Sequence, residues 1–326
     1  MTTAAQERSI PTPLGLLLAT VAGIAMPAQG RVNGALAAEL GSGTLAALVS
    51  FTVGLVIVGL GVLIFPKSRS SIKQLPTFLK EKRFPWWYML AGVIGAYFVL
   101  GQGLTITLLG VALFTVANVA GQTVSGLFTD AIGFGPGGKR PITGIRFIGS
   151  FLAIVGVLWA VWPKIAAQGA SGDWLLPVLF PLSAGLLFAF QQAMNGTQTR
   201  YYRTPLPATF FNFAAGTLAL GVVVVITSFG NPLPGHFPTE WWMYLGGAFG
   251  NVFIATGAIL VRHMGVLLTG LGLVAGQLLG SLALDVFAPV PGSVVDANTL
   301  WGTALTLVAV MIASIPSSAR MPWEKR

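Results

Sequence analysis

Apolar residues run along this chain in blocks of about twenty or more, separated by short polar stretches containing proline and basic residues. About twenty mostly apolar residues cross a bilayer as a helix. Ten such blocks can be marked, at roughly 14–37, 43–65, 85–107, 110–131, 142–163, 174–199, 205–229, 240–261, 264–287 and 297–316. The least marked divisions fall at 107–110 and 261–264. Lipid offers backbone groups no hydrogen-bond partner, so the blocks must be helices rather than open sheet. The short polar leader MTTAAQERSIPTP before Leu14 could introduce a signal peptide. With many similar blocks following, it reads instead as the approach to a first span. The pattern predicts an all-α integral membrane protein with ten transmembrane helices.

Composition sharpens this. The chain is 54% hydrophobic and 8% charged, with a mean hydropathy of +0.80. A soluble domain carries about 25% charged residues. The 42 glycines suit close helix packing. Cysteine is absent, which removes disulfides and thiolate chemistry, and two histidines leave little room for a histidine metal cluster. No cofactor is expected.

The net charge of +9 would fit a nucleic-acid partner, but its distribution argues for a membrane. Lysine and arginine are enriched in cytoplasmic loops. With both termini inside, 16 of the 18 basic residues fall in inside segments. They are Arg8, the tract Lys67, Arg69, Lys73, Lys80, Lys82 and Arg83, then Lys139, Arg140 and Arg146, Arg200 and Arg203, Arg262, and Arg320, Lys325 and Arg326. Only Lys164 falls outside, and Arg31 lies within the first span. The tract from Lys67 to Arg83 reads as a cytoplasmic loop touching anionic lipid. Trp86-Trp87-Tyr88 and Trp241-Trp242 with Tyr244 mark span ends at the interface. The localisation expected is a multi-pass cytoplasmic membrane protein whose partners are the bilayer and a small polar molecule.

Two segments repeat. VAGQTVSGLFTD (119–130) and VAGQLLGSLALD (274–285) agree at six of twelve positions, 155 residues apart. The same spacing aligns Trp86-Trp87 with Trp241-Trp242, and Gly92, Gly95 and Gly110 with Gly247, Gly250 and Gly265. Earlier, a spacing of 162 aligns Gln29, Asn33 and Gly34 with Gln191, Asn195 and Gly196, and Phe51 and Gly54 with Phe213 and Gly216. The chain therefore divides into two five-helix repeats, 1–165 and 166–326. Five is odd, so the second enters the membrane from the opposite side. Inverted halves are a signature of transporters, with the substrate site where the halves meet.

At this point the residues resemble a known family. Gln29 and Asn33, then Ser50-Phe51 with Gly54, then VAGQ followed by Asp130, then KRPITGIR (139–146), resemble the drug/metabolite transporter superfamily. More narrowly, the pattern is similar to the branch catalogued as domain of unknown function 606. Many members of that branch are single five-span units, and this chain looks like a fused pair. The second half departs from the pattern: Ser50 becomes Asn212, and no RPxxxxR follows Asp285. The resemblance implies a secondary transporter, often exporter-like, with ten spans, and it supplies no substrate.

Candidate site residues are the polar side chains inside the spans. Gln29 and Asn33 are four apart and share a helix face, as do Gln191 and Asn195, and Asn118 and Gln122. With Asn212 and Gln277 they form the candidate substrate-binding set. Such amides either hydrogen-bond a polar substrate in a central cavity or bond neighbouring helices at about 0.6 to 2 kcal/mol each. Gly272, Gly276 and Gly280 form a small-residue ridge, matched by Ala117, Gly121 and Ser125. On this basis spans 4 and 9 are expected to pack as a central pair with Gln122 and Gln277 beside the seam.

Asp130 lies twenty residues beyond the start of span 4, about 30 Å along a helix, at the inner interface. Asp285 reaches the outer one. Gate or anchor ion pairs are the favoured role, Asp130 with Arg140 or Arg146 and Asp285 with Arg31; proton carriage is second. Arg31 itself could also meet Glu39, snorkel outward or touch an anionic substrate group. No glutamate lies mid-membrane, since Glu39 belongs to the first outside loop, which weakens a simple cation-antiport scheme. GFGPGGKR (133–140) has phosphate-loop spacing, but Arg140 replaces the Ser/Thr that would bind Mg²⁺, so ATP-driven transport is not indicated.

The reading is a secondary transporter of a small polar metabolite or drug. Fused halves make a monomer sufficient, with a homodimer also open. The rivals are a membrane-embedded enzyme acting on lipid and a non-transporting scaffold or sensor.

Overall fold

The apolar blocks fold into helices whose ends are set mostly by proline, glycine and serine. The structure is a computed structural model that describes residues 10–136, 138–139, 142–168, 175–229, 236–289, 293 and 295–313. Within these, the side chains at 12, 161, 164–168, 258 and 261–268 are not described. Arg8, Arg140, Arg320, Lys325 and Arg326, and the side chains of Lys164, Arg262 and His263, therefore lie outside the described residues.

The helices are α1 (Thr12–Gly23), α2 (Ala25–Leu40), α3 (Gly43–Ile64), α4 (Pro66–Ile72), α5 (Leu75–Lys80), α6 (Ala91–Leu109), α7 (Val111–Ile132), α8 (Gly144–Gln168), α9 (Leu175–Tyr202), α10 (Pro205–Ser228), α11 (Gly246–Phe287) and α12 (Ala297–Ala313). No strand occurs among the described residues. Among the described residues seven helical stretches are long and apolar enough to cross a membrane, and Gly144–Ala160 and Ala297–Ala313 are shorter apolar helices.

Two expected boundaries look different in the structure. The first span is interrupted: Ile24 joins α1 to α2 while remaining helical (φ −61, ψ −25). Pro27, which has no N–H to offer the carbonyl of Gly23, accounts for the joint. The expected spans 8 and 9 form one helical stretch of 42 residues. A straight helix would place Gly257 and Leu273 about 24 Å apart. Instead a Cβ at Gly257 would lie 3.3 Å from the Leu273 side chain. The chain thus reverses between them, and α11 has two antiparallel arms. The first arm runs against α2, with Gly246 at Asn33 and Gly250 at Gln29. The second runs alongside α1, with Gly272 at Ala19 and Gly280 at Ile24.

Long helices pair across the midpoint of the chain: α1 with the second arm of α11, α9 with α7, α3 with α10, and α8 with α12. Several contacts occur twice with the partners exchanged. Gly54 meets the Phe213 ring and Gly216 meets the Phe51 ring. Gly92 meets the Asn212 carbonyl and Gly247 the Ser50 carbonyl. Gly23 packs on Leu273 and Gly276, and Gly185 on Asn118 and Gln122. The rings of Phe51 and Phe213 touch each other, with centroids 5.1 Å apart.

Outside this packing, apolar side chains face outward in helical stripes. Val56, Leu60, Leu63 and Ile64 are exposed on α3, and Leu218, Val222, Val225 and Ile226 on α10. Stripes of this size on several helices fit lipid as the surrounding solvent. By contrast every residue of α7 from Val111 to Gly121 is buried, so α7 is the helix around which the others gather. At the start of α12, Asp296 accepts the Thr299 N–H at 2.8 Å. Burial raises its carboxyl pKa, but hydrogen bonds from Thr299 and Asn298 outweigh this and hold it below the usual value.

The seam expectation needs correcting. The ridge of Gly272, Gly276 and Gly280 packs on α1 through Ala19, Thr20, Gly23 and Ile24, and Gly121 packs on α9 through Leu182 and Gly185. The two ridges do not face each other. The physical reason is that Gly23 and Gly185 have no side chains, so the closest backbone approach is to α1 and α9.

Candidate substrate site

The buried amides gather in the middle of the bundle. Gln29, Asn33, Asn118, Gln191, Asn195, Asn212 and Gln277 are all buried, and Asn33 is fully so. Nothing charged sits among them in the contacts below, so their partners are other amides or backbone.

In the second half the amides form one bonded group. The Asn212 carbonyl oxygen accepts from Gln191 Nε2 at 2.8 Å and from Asn195 Nδ2 at 3.0 Å. In the first half Ser50 stands where Asn212 would be, and it is too short to serve both amides. Asn33 Nδ2 turns instead to Gln102 Oε1 at 2.8 Å. The Ser50 hydroxyl is left without a hydrogen bond, as are the carbonyl oxygens of Asn33, Gln191, Asn195 and Asn118. Gln29 and Gln191 pack in equivalent places, against Gly250 and Gly95, where any Cβ would intrude on the amide nitrogen.

A narrow space lies beside these groups. Gln102, Thr115, Asn118 and Gln277 provide its polar lining, and Met26, Phe98 and Phe114 part of its apolar lining. It has room for about one water molecule. Gln122 does not line the space; it is partly exposed further along α7, with its amide nitrogen unbonded. The two glutamines of the repeated segment thus sit in different surroundings.

The charged candidates are distributed as follows. Asp130 and Arg146 form an ion pair at 2.6 Å, with side chains 37% and 19% exposed. Such a pair contributes only about 0–1 kcal/mol. Asp285 and Arg31 do not pair. Asp285 accepts the N–H groups of Val111 at 3.0 Å and Ala112 at 2.7 Å, and the Ser293 hydroxyl at 2.7 Å. Arg31 Nε donates to the Ala288 carbonyl at 3.1 Å, at the C-terminal end of α11. Each charge is matched by a helix end of opposite polarity. Gly110 makes this arrangement possible: its φ of +82° turns the chain into α7, and a Cβ would stand 2.9 Å from the Asp285 carboxylate. Asp285 and Asp130 mark opposite ends of α7, about 28 Å apart along its axis. Glu39 is exposed in the last turn of α2.

Sequence reasoning missed Gln102, a fully buried amide at the centre, as well as Gln198, whose Nε2 donates to the Tyr88 carbonyl at 2.9 Å. The available signal was the amide itself inside an apolar block; its counterpart at a spacing of 155 is Gly257.

Asn212→Ala removes the shared acceptor and leaves two buried amide donors unmatched. The expected loss is about 1–3 kcal/mol of unfolding free energy. Ser50→Ala, which breaks no bond, should cost less than half of that. Unfolding in mixed detergent micelles measures both.

A family profile described as "Putative inner membrane exporter, YdcZ" matches residues 14–159 and residues 176–312. A solved structure titled only "Crystal structure of protein" shares 18% identity, with 92% of this chain and 93% of that chain covered and a TM-score of 0.52; the likeness is one of fold. No curated protein is significantly similar in sequence.

Proposed function

The chain belongs to the inner-membrane exporter family whose profile covers most of its length, and from that premise we propose that it is a secondary transporter of a small polar molecule, built from two inverted five-helix repeats and working by alternating access. The family is of the drug/metabolite transporter type, and the protein is accordingly a multi-pass inner-membrane protein. In the proposed topology the repeats are 1–165 and 166–326, there are ten spans, and both termini are cytoplasmic.

Three observations support this. The family profile matches two separate stretches of similar length. The contacts exchanged between equivalent residues are what a two-fold relation would produce, and Phe51 and Phe213, equivalent and touching, would lie on its axis. Counting the two arms of α11 separately, and α1 with α2 as one interrupted span, gives ten.

The observation that carries the substrate reading is the set of buried amides with unspent hydrogen-bonding atoms beside a nearly closed central space. In lipid-embedded helices such groups mark pathways. Their lack of charge favours a neutral or weakly charged polar substrate. The narrow space fits an occluded conformation that must open to one side at a time.

Flux in sealed vesicles tests this. A panel of polar metabolites should include one with saturable flux. Asn118→Leu, which installs the residue of the equivalent position 273, should lower that flux about tenfold with folding intact. Unchanged flux in Asn118→Leu and in Gln277→Leu would reduce the central amides to helix glue.

A further inference from the structure

Away from the central amides, a cleft of about 540 Å³ opens at the end of the bundle that carries α4 and α5. Lys67, Arg83, Arg200 and Arg203 stand around it. Its one carboxylate, Glu81, is already bonded to Arg83 at 2.8 Å. Phe78, Tyr201 and Tyr202 form an aromatic wall. We propose that this cleft binds a phosphate group, from an anionic lipid headgroup or from a small soluble phosphorylated molecule.

Four observations lead there. First, the cations come from segments more than a hundred residues apart in sequence, brought together by a braced wall. Ser71 Oγ donates to the Tyr202 carbonyl at 2.8 Å, and the Phe78 and Tyr202 rings meet edge to face at 5.6 Å. Like charges held around one cleft repel, and an anion with more than one charge relieves this.

Second, the wall contains an unspent polar atom. Tyr202 is 1% exposed, and its buried hydroxyl makes no hydrogen bond. Arginine matches phosphate geometry with parallel N–H groups, which a hydroxyl complements.

Third, among the described residues the non-glycine positions with positive φ are Lys82 (53°) and Arg203 (57°). One lies on the cleft wall and the other precedes Arg83. Both stand just past a helix end, where a left-handed residue is an ordinary cap, and the two caps set the direction of the chain at Arg83 and Arg203.

Fourth, the repeated fold does not require the charges. The segment that follows α10 in the second repeat, residues 229–240, contains no lysine or arginine. The cleft is an addition to one end of the molecule. Beside it, Ile64, Phe65 and Trp86 are exposed apolar residues at the end of α3 and before α6, which fits a mouth at the level of the membrane surface.

The inference is independent of the central substrate site and needs no transport assay. The test is thermal unfolding of the purified full chain. One arm adds inorganic pyrophosphate in detergent against sodium chloride at equal ionic strength. The other compares nanodiscs of phosphatidylcholine with and without phosphatidylglycerol. At least one probe should raise the unfolding temperature of the wild type. In Arg200→Gln/Arg203→Asn the apparent Kd should rise about tenfold or more, while Lys139→Gln, a basic residue elsewhere, should leave it unchanged. Lys67→Gln on the other wall should weaken binding too, which keeps the test decisive if the double variant folds poorly. A response to pyrophosphate alone identifies a soluble ligand, and one to phosphatidylglycerol alone a lipid. No response to either probe, or a response undiminished in the variants, overturns the proposal.

Discussion

Asp285→Ala should lower the unfolding free energy by about 3–5 kcal/mol, the largest loss expected from a single side chain in this molecule. The carboxylate is buried and makes three hydrogen bonds, two of them to the backbone N–H groups that open α7. Those groups have no partner inside their own helix. Alanine leaves them unmet in a buried place, and also removes a negative charge from the positive end of the helix macrodipole. Asp285→Asn is the informative companion. It keeps the shape and one acceptor oxygen, so its loss should be about half as large. Unfolding in mixed detergent micelles, followed by tryptophan fluorescence, gives both values. A loss below about 1 kcal/mol for Asp285→Ala would mean that water replaces the carboxylate there, and the cap would then be no structural anchor.

That cap shows where the sequence was legible and where it was not. The apolar helices and the doubled segments could be read, because they depend on runs and spacings. The expected ion pair of Arg31 with Asp285 did not form, since each charge meets a helix terminus instead. A helix end is a strong electrostatic partner, but it is made of backbone and has no letter in the sequence. The partner of the glycine ridge was hidden for a related reason. GxxxG spacing tells that a helix offers a flat face, and not which helix accepts it; Gly23 and Gly185, outside either ridge, decided that. Most of the central amides have a polar counterpart at the repeat spacing or a second amide four residues along the helix; Gln102, matched with Gly257 at that spacing, has neither. The position held by Asn212 in one half and by Ser50 in the other shows the consequence: Asn212 joins Gln191 and Asn195 in one bonded group, and Asn33 bonds Gln102 instead.

The second large effect is expected at the helix crossings, and it also tests the equivalence of the halves. A methyl group at Gly276 would run into the Thr20 carbonyl, and one at Gly121 into the Leu182 carbonyl. At Gly23 the obstacle is the Leu273 carbonyl and at Gly185 the Asn118 carbonyl. All four obstacles are backbone, so no rotamer change relieves them and the helices must separate. Each Gly→Ala variant should therefore lose about 2–3 kcal/mol, at the upper end of overpacking costs. Gly126 and Gly221 are also helical, but nothing lies within 4 Å of a Cβ built on either. Alanine there should be neutral or should stabilise by up to about 1 kcal/mol, because it restricts the unfolded chain and favours helix. Unfolding in mixed micelles separates the groups by sign. The sharper comparison is within pairs: Gly276 with Gly121, and Gly23 with Gly185. If the repeats share one interface used twice, each pair should agree to within about 0.5 kcal/mol, the usual scatter for independent sites. A large loss at Gly276 beside a gain at Gly121 would show that the exchanged contacts are alike in shape only, and the two-fold relation behind the alternating-access proposal would lose its energetic basis.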